Sequence, residues 1–237
     1  YSIQKNLLLF EIYSKISVNL WIIRNDMNIG FLHFREKLFQ LGMFSTEHIR
    51  LYFPDFNTDN LLYWQKKGHI IKLRNKWYCF KEFADNPDSR FLISNQIYSP
   101  SYISHQEALM FYGLIPEHIV NSTSITTKKT AVFEVLGRTY QYYSVKKSLF
   151  FGYKLMDTSV GGLSRSIFIA EKEKALLDLL YFYSFYNSID DMKELRLNEN
   201  IMEQEFDWAK MDDYARKFSS KTLIDKVNIL KKLYLND

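Results

Sequence analysis

Asn57 to Phe80 reads N-T-D-N-L-L-Y-W-Q-K-K-G-H-I-I-K-L-R-N-K-W-Y-C-F, and these residues predict a helix, its stop and a hairpin in immediate succession. Asn57 can accept a hydrogen bond from the first free N–H groups of a helix, and Asp59 puts a negative charge at its positive end. The helix is expected over Thr58 to Lys67, with Leu61 and Trp64 inward and Asn60, Tyr63, Lys66 and Lys67 on the other faces. Gly68 ends it, because glycine takes the left-handed conformation that closes a helix without steric cost. After Gly68 the period changes to two. Ile71, Leu73, Trp77 and Cys79 alternate with Lys72, Arg74 and Tyr78, and Arg74-Asn75-Lys76 is the turn, with Asn75 the residue suited to positive φ.

Upstream, Phe31, Phe34, Leu38 and Leu41 recur at helical spacing until Gly42. Ser45 caps a second helix, Thr46 to Phe53, which Pro54 stops. Three helices followed by a hairpin predict a winged helix-turn-helix over residues 27 to 83. Residues 27 to 83 hold nine Lys or Arg against five acids, whereas residues 84 to 237 hold nineteen against twenty. The positive charge is therefore concentrated where phosphate contact would use it, since each neutralised phosphate releases condensed counterions. In that geometry Thr58, Asn60, Tyr63, Lys66 and Lys67 face the major groove, and Lys72, Arg74 and Lys76 touch the flanking backbone.

Residues 1 to 26 lie outside this unit. Their apolar runs, Leu7-Leu8-Leu9-Phe10 and Val18 to Ile23, are interrupted by Glu11, Lys15 and Arg24, too short for a membrane span and unlike a cleaved signal. Met27 is a plausible original start. A single cysteine, Cys79, excludes a disulfide framework and a multi-cysteine zinc site, and fits a reducing cytoplasm. On its strand it is expected to pack inside the hairpin.

Residues 84 to 93 contain the polar stretch A-D-N-P-D-S-R and read as a linker or boundary, followed by a second domain over 94 to 237. Phe91 to Ile97 looks helical, Ser99-Pro100-Ser101 breaks it, Ser104 caps another helix that Gly113 closes, and Pro116-Glu117 opens a short helical turn. Residues 122 to 154 are rich in Ser, Thr, Val, Phe and Tyr and should be strands. Met156 to Ser166 reads as a mobile loop around Gly161-Gly162, then a short strand, Ile167 to Ala170, leads into a helix with Ala175, Leu176, Leu179, Leu180 and Tyr183 on its apolar stripe. The remainder is helical, ending on Leu223, Val227, Leu230 and Tyr234 behind a cap at Ser219 or Ser220. The fold class is α+β: an N-terminal winged helix-turn-helix, then a mixed helix and antiparallel-sheet domain with a helical C-terminus.

The chemistry of catalysis is largely absent from the sequence. No glycine pattern for cradling phosphate occurs, and Gly162-Leu163-Ser164-Arg165-Ser166 lacks the closing glycine of a nucleophile elbow. Glu171-Lys172-Glu173-Lys174 fails the carboxylate-x-lysine spacing of a metal-dependent nuclease. It reads as a helix start with Lys174 and Asp178 paired on the exposed side. His33, His48, His69, His105 and His118 form no ligand pair. No catalytic residue, metal or cofactor is expected. One further basic set remains, Lys128, Lys129, Arg138, Lys146 and Lys147, with Lys154 and only Glu134 against them. Interleaved with Tyr140, Tyr142 and Tyr143, it could line a strand face that extends the DNA footprint or meets an acidic partner, and ordinary solvated surface would look the same.

Two blocks together resemble one family. Trp64-Gln65-Lys66-Lys67-Gly68-His69-Ile70-Ile71-Lys72-Leu73-Arg74 with Trp77-Tyr78 is similar to the winged helix of AbiEi-type antitoxins, regulators of type IV abortive-infection toxin-antitoxin systems. The second block is Tyr98-Ser99-Pro100-Ser101-Tyr102-Ile103-Ser104, Ala108-Leu109, Tyr112-Gly113-Leu114-Ile115-Pro116-Glu117, Thr126, Leu149-Phe150, Gly152-Tyr153, Ile169-Ala170 and Glu173-Lys174-Ala175-Leu176-Leu177-Asp178. Its order and spacing resemble that family's second domain, and the likeness runs from about Met27 to Tyr183. Arg-Asn-Lys stands in the wing where a glycine is usual, and Tyr63 where a basic residue is common. The resemblance implies a non-enzymatic, cytoplasmic DNA-binding autorepressor that binds operator inverted repeats. It would oppose a nucleotidyltransferase-like toxin through the second domain, without a stable complex and without a membrane. A stand-alone regulator whose second domain senses a ligand or partner, and a nucleic-acid-processing enzyme with a winged-helix targeting module, are the alternatives.

Overall fold

The computed structural model describes residues 29–117 and 120–235, so the N-terminal extension expected over residues 1 to 26, and Met27, lie outside the described residues. The chain divides after Asp85 into two compact units.

In the first unit α1 (Phe31–Leu38) buries Phe34 and Leu38 and passes through a 3-10 turn (Phe39–Leu41) to Gly42. Gly42 has φ +67°, and a Cβ there would lie 2.5 Å from Phe83 Cδ2, so both backbone and packing require glycine. A short strand follows that the sequence did not predict, β1 (Met43–Ser45), three residues long and buried throughout. Ser45 then caps α2 (Thr46–Tyr52) as expected, its Oγ accepting from the His48 N–H while His48 Nδ1 accepts from the Ser45 N–H. After α3 (Asp59–Lys66) come β2 (Ile70–Arg74), β3 (Trp77–Phe80) and the single turn α4 (Lys81–Ala84). The sheet is antiparallel in the order β1-β3-β2, with Met43 opposite Cys79 and Ile71 opposite Cys79 from the other side. Helices and sheet close on an aromatic core. Phe34 lies 4.6 Å from Trp64 between ring centroids, and Phe44 lies 5.0 Å from Phe80. Cys79, between Tyr78 and Phe80 on β3, is wholly buried on the other face of the sheet, and burial pushes its thiol up to about 12, so it is packing and not a nucleophile.

The second unit begins at Asn86, within the linker or boundary read over 84 to 93, of which residues 85–88 lie between α4 and α5 (Ser89–Ile97). Its sheet has six strands, β4 (Ser101–Ile103), β5 (Ser122–Thr126), β6 (Ala131–Val135), β7 (Arg138–Ser144), β8 (Tyr153–Val160) and β9 (Leu163–Ala170), in the order β6-β7-β5-β4-β9-β8. It is mixed, not antiparallel as expected: β5 pairs with β7 and β4 with β9 in parallel. The β6–β7 hairpin folds back outside β5, which sets β7 beside its own predecessor but one, and no alternation along a short strand records that polarity.

Three local expectations are corrected. Met156 to Ser166 is not a mobile loop but the tip of a hairpin paired from Tyr153 opposite Ala170 to Val160 opposite Leu163. Gly161 and Gly162 both have positive φ, +60° and +77°, the two-residue turn whose twist matches a hairpin. Pro116 and Glu117 carry no helical turn, and residues 118 and 119 lie outside the described residues. Ser104 precedes α6 (His105–Phe111) without capping it, because its hydroxyl is used elsewhere.

One sheet face is covered by α5. The Ser94 and Ser124 hydroxyls meet at 2.8 Å, Tyr142 OH donates to the Ser94 carbonyl, and the Asn95 amide bonds both backbone groups of Phe168. The other face is covered by α7 (Lys172–Phe182), whose residues from Glu173 to Leu180 are all buried. Behind α7 stand α8 (Ile189–Lys193), α9 (Glu199–Gln204), α10 (Trp208–Phe218) and α11 (Lys221–Tyr234), the helical C-terminus. Ser220 caps α11, and Lys226 reaches back to donate to the Leu180 and Tyr183 carbonyls at 2.8 and 2.7 Å, closing the free end of α7.

Candidate nucleic-acid interface

The helix α3 starts on the Asn57 side chain, whose Oδ1 accepts from the Asp59 N–H at 2.9 Å, while Thr58 makes no side-chain cap and leaves its hydroxyl outward. Gly68 closes it at φ +72°, with the His69 N–H donating to the Trp64 carbonyl. Leu61 and Trp64 hold it to the core, so the face that remains carries Leu62, Tyr63, Lys66 and Lys67. Lys67 lies over the Tyr63 ring, 5.7 Å from its centroid. Leu62 is 61% exposed. It did not stand out in the sequence, because an apolar residue beside Leu61 reads as core until the helix is docked.

Asn60 belongs to a different place. It is half-buried on the flank of α3, where with Tyr63, Trp64, Phe31 and His69 it lines a cleft of about 330 Å³, and its Nδ2 is buried with no partner among the described residues. The outward face therefore centres on Tyr63 and Lys66, with Asn60 at its margin.

The hairpin places Lys72 outward on β2, opposite Tyr78, and a bulge between Lys72 and Arg74 turns the half-buried Arg74. Positive φ falls on Lys76, at +68°, not on Asn75 as the residue types suggested. The reason is tertiary: the Lys76 carbonyl accepts from the Thr46 N–H at 3.0 Å, and its Nζ meets Glu47 Oε1 at 3.2 Å. Glu47 is held down to about 2 by hydrogen bonding at the start of α2, by the Ser45 hydroxyl and by Lys76. Lys76 thus already faces a carboxylate, whereas Lys66, Lys67 and Lys72 meet none among the described residues.

The second basic set is not a strand face. Lys128 and Lys129 follow β5, Lys146 and Lys147 follow β7, and Thr126 pairs with Ser144, so these four lysines share one end of the sheet. Arg138 opens β7 at the opposite end and donates to the Val120 carbonyl. The structure brings four of the five residues together and separates the fifth.

Lys174 and Asp178 also change place. The sequence put them on the exposed side of a helix, and both are fully buried. Lys174 donates to Asp178 Oδ1 and to Tyr102 OH, and Asp178 Oδ2 accepts from Tyr102 OH at 3.1 Å and from Ser104 Oγ at 2.8 Å. Burial pushes the lysine down and the carboxyl up, each opposed by its partner. The Gly152 backbone lies so close to Lys174 that a Cβ would lie 3.0 Å from its Cγ, and neither side chain of the pair reaches solvent. It is a structural pin.

No group of three or more potential metal ligands occurs among the described residues, and none of their helices is long and apolar enough to cross a membrane. Neither a protein-family model nor a curated protein matches the chain.

Proposed function

We propose that the first unit is a winged helix-turn-helix that binds duplex DNA, and that the chain is a transcriptional regulator of the AbiEi antitoxin type. One observation carries the DNA reading. α3 is fixed to the core by Leu61 and Trp64 and turns out an exposed face of Tyr63, Lys66 and Lys67, and the hairpin that follows it carries the exposed Lys72. A helix of this kind fits the major groove while a basic hairpin follows the flanking backbone. Leu62 adds an apolar group suited to thymine methyls.

The antitoxin part rests on the resemblance of the two motif blocks. In that reading the protein represses its own operon at inverted repeats and opposes a nucleotidyltransferase-like toxin through the second unit. Footprinting on the DNA upstream of the reading frame tests the first half, with two inverted half-sites expected and no protected segment contradicting it. Expression of a fragment from Asn86 onward beside the cognate toxin tests the second. Restored growth with an unrepressed promoter supports the reading, and a folded fragment without protection overturns it.

A further inference from the structure

What distinguishes the four lysines at the end of the second sheet is that they are gathered at one place, where β5 and β7 end together. Lys172, Lys193, Lys210 and Lys231 each meet a carboxylate. Lys128, Lys129, Lys146 and Lys147 are all exposed, and none of them meets one among the described residues. Like charges gathered at one end without counter-charge raise the local attraction for a polyanion.

An aromatic cleft opens beside them. About 110 Å³ in volume, it is lined by Ser99, Pro100, Ser101, Phe150, Tyr153 and Phe168. Three links join it to the lysines. Lys147 starts the 3-10 turn (Lys147–Leu149) that delivers Phe150, Lys128 lies 5.1 Å from the centroid of Tyr98 immediately before Ser99, and Thr126 at the end of β5 bonds the Pro100 carbonyl. Tyr153 stacks on the buried Tyr102 at 4.8 Å and 15°, and Phe168 stands across it at 84° with 45% of its surface exposed.

We propose that this end of the sheet binds single-stranded nucleic acid, with an unpaired base against Phe168 and Tyr153 and the backbone phosphates on the four lysines. Ring faces beside a basic track are what an unstacked base and its phosphate require. A duplex hides its base faces in its own stack, and an acidic peptide would use the lysines while leaving the rings without a stacking partner. The ligand and the unit both differ from those of the winged-helix reading, so the two stand or fall separately.

The test is fluorescence anisotropy of the full chain with labelled single strands of about 12 nucleotides, one RNA and one DNA. Unlabelled duplex is present in excess to occupy the first unit. Binding should persist under the duplex, and the two strands separate a preference for ribose from one for deoxyribose. Lys146→Glu with Lys147→Glu should weaken it by at least about tenfold, and the log affinity against log salt plot should flatten by about 0.7 for each phosphate that is no longer neutralised. Phe168→Ala should weaken it about tenfold, and Phe168→Tyr, which keeps the ring, should restore it. Unchanged binding in the lysine and Phe168→Ala variants would overturn the proposal, as would full displacement by duplex. Displacement by polyglutamate with the same dependence on Phe168 would overturn it too, and would assign the surface to acidic proteins instead.

Discussion

Lys174 and Asp178, one turn apart on α7, are bonded to each other with neither side chain reaching solvent. The pair's other hydrogen bonds are local: Tyr102 OH accepts from Lys174 and donates to the second carboxylate oxygen, to which Ser104 donates too. The pair thereby pins α7 to β4 across the sheet face. Removing one member leaves a buried charge without its partner, which costs about 3 to 5 kcal/mol, whereas replacing both by apolar groups of similar volume is far milder. Lys174→Met and Asp178→Leu are each expected to lower stability in urea unfolding by that amount, and the double variant is expected to lie closer to the wild type than either. Strictly additive losses would show that the pair is not coupled.

Glu107 gives the second unit a pH dependence of definite sign. It is fully buried, accepts from Ser122 Oγ at 2.9 Å and lies 3.7 Å from Arg90, and desolvation outweighs those contacts to raise its carboxyl from 4.5 to about 7. The folded state then holds a proton that the unfolded state has released, so the contribution is complete below pH 4.5 and is lost as pH rises through 7. Wild type should lose about 3 kcal/mol relative to Glu107→Gln between about pH 5 and pH 8. Parallel stability curves for the two proteins would contradict this.

Lys72 and Lys76 sit on the same hairpin and should behave differently toward DNA. Lys72 has no acid partner among the described residues, while Lys76 is bound to Glu47. In duplex binding measured against salt, Lys72→Ala should flatten the log–log slope by about 0.9 and weaken all sequences alike. Lys76→Ala should change the slope by much less. Equal losses at both positions would mean that the Glu47 bridge opens in the complex.

The first unit was largely legible because its signals are local: the Asn57 and Ser45 caps, the Gly68 stop and the change of period after it. What escaped there was tertiary. Three residues of β1 are too few to show a period, and the positive φ passed from Asn75 to Lys76 because Thr46 holds the Lys76 carbonyl. In the second unit the strands were visible but their polarity was not, since β7 and β9 owe their parallel partners to connections. Lys174 and Asp178 fit the pattern of a solvated helix pair, and only the docking of α7 on Tyr102 and Ser104 reveals them as buried. The same holds for the four lysines, which are far apart in the sequence and meet only because β5 and β7 end together.

The central claim, that the outward face of α3 reads duplex DNA, is tested most directly by competition binding. The wild type, Leu62→Ala, Tyr63→Ala and Lys146→Glu with Lys147→Glu would be compared on a duplex enriched from a random library and on an unselected one. Each α3 substitution should erode the preference for the enriched duplex by about 1 to 3 kcal/mol, and the second-unit variant should keep it. A wild-type preference retained by both α3 variants would contradict the account.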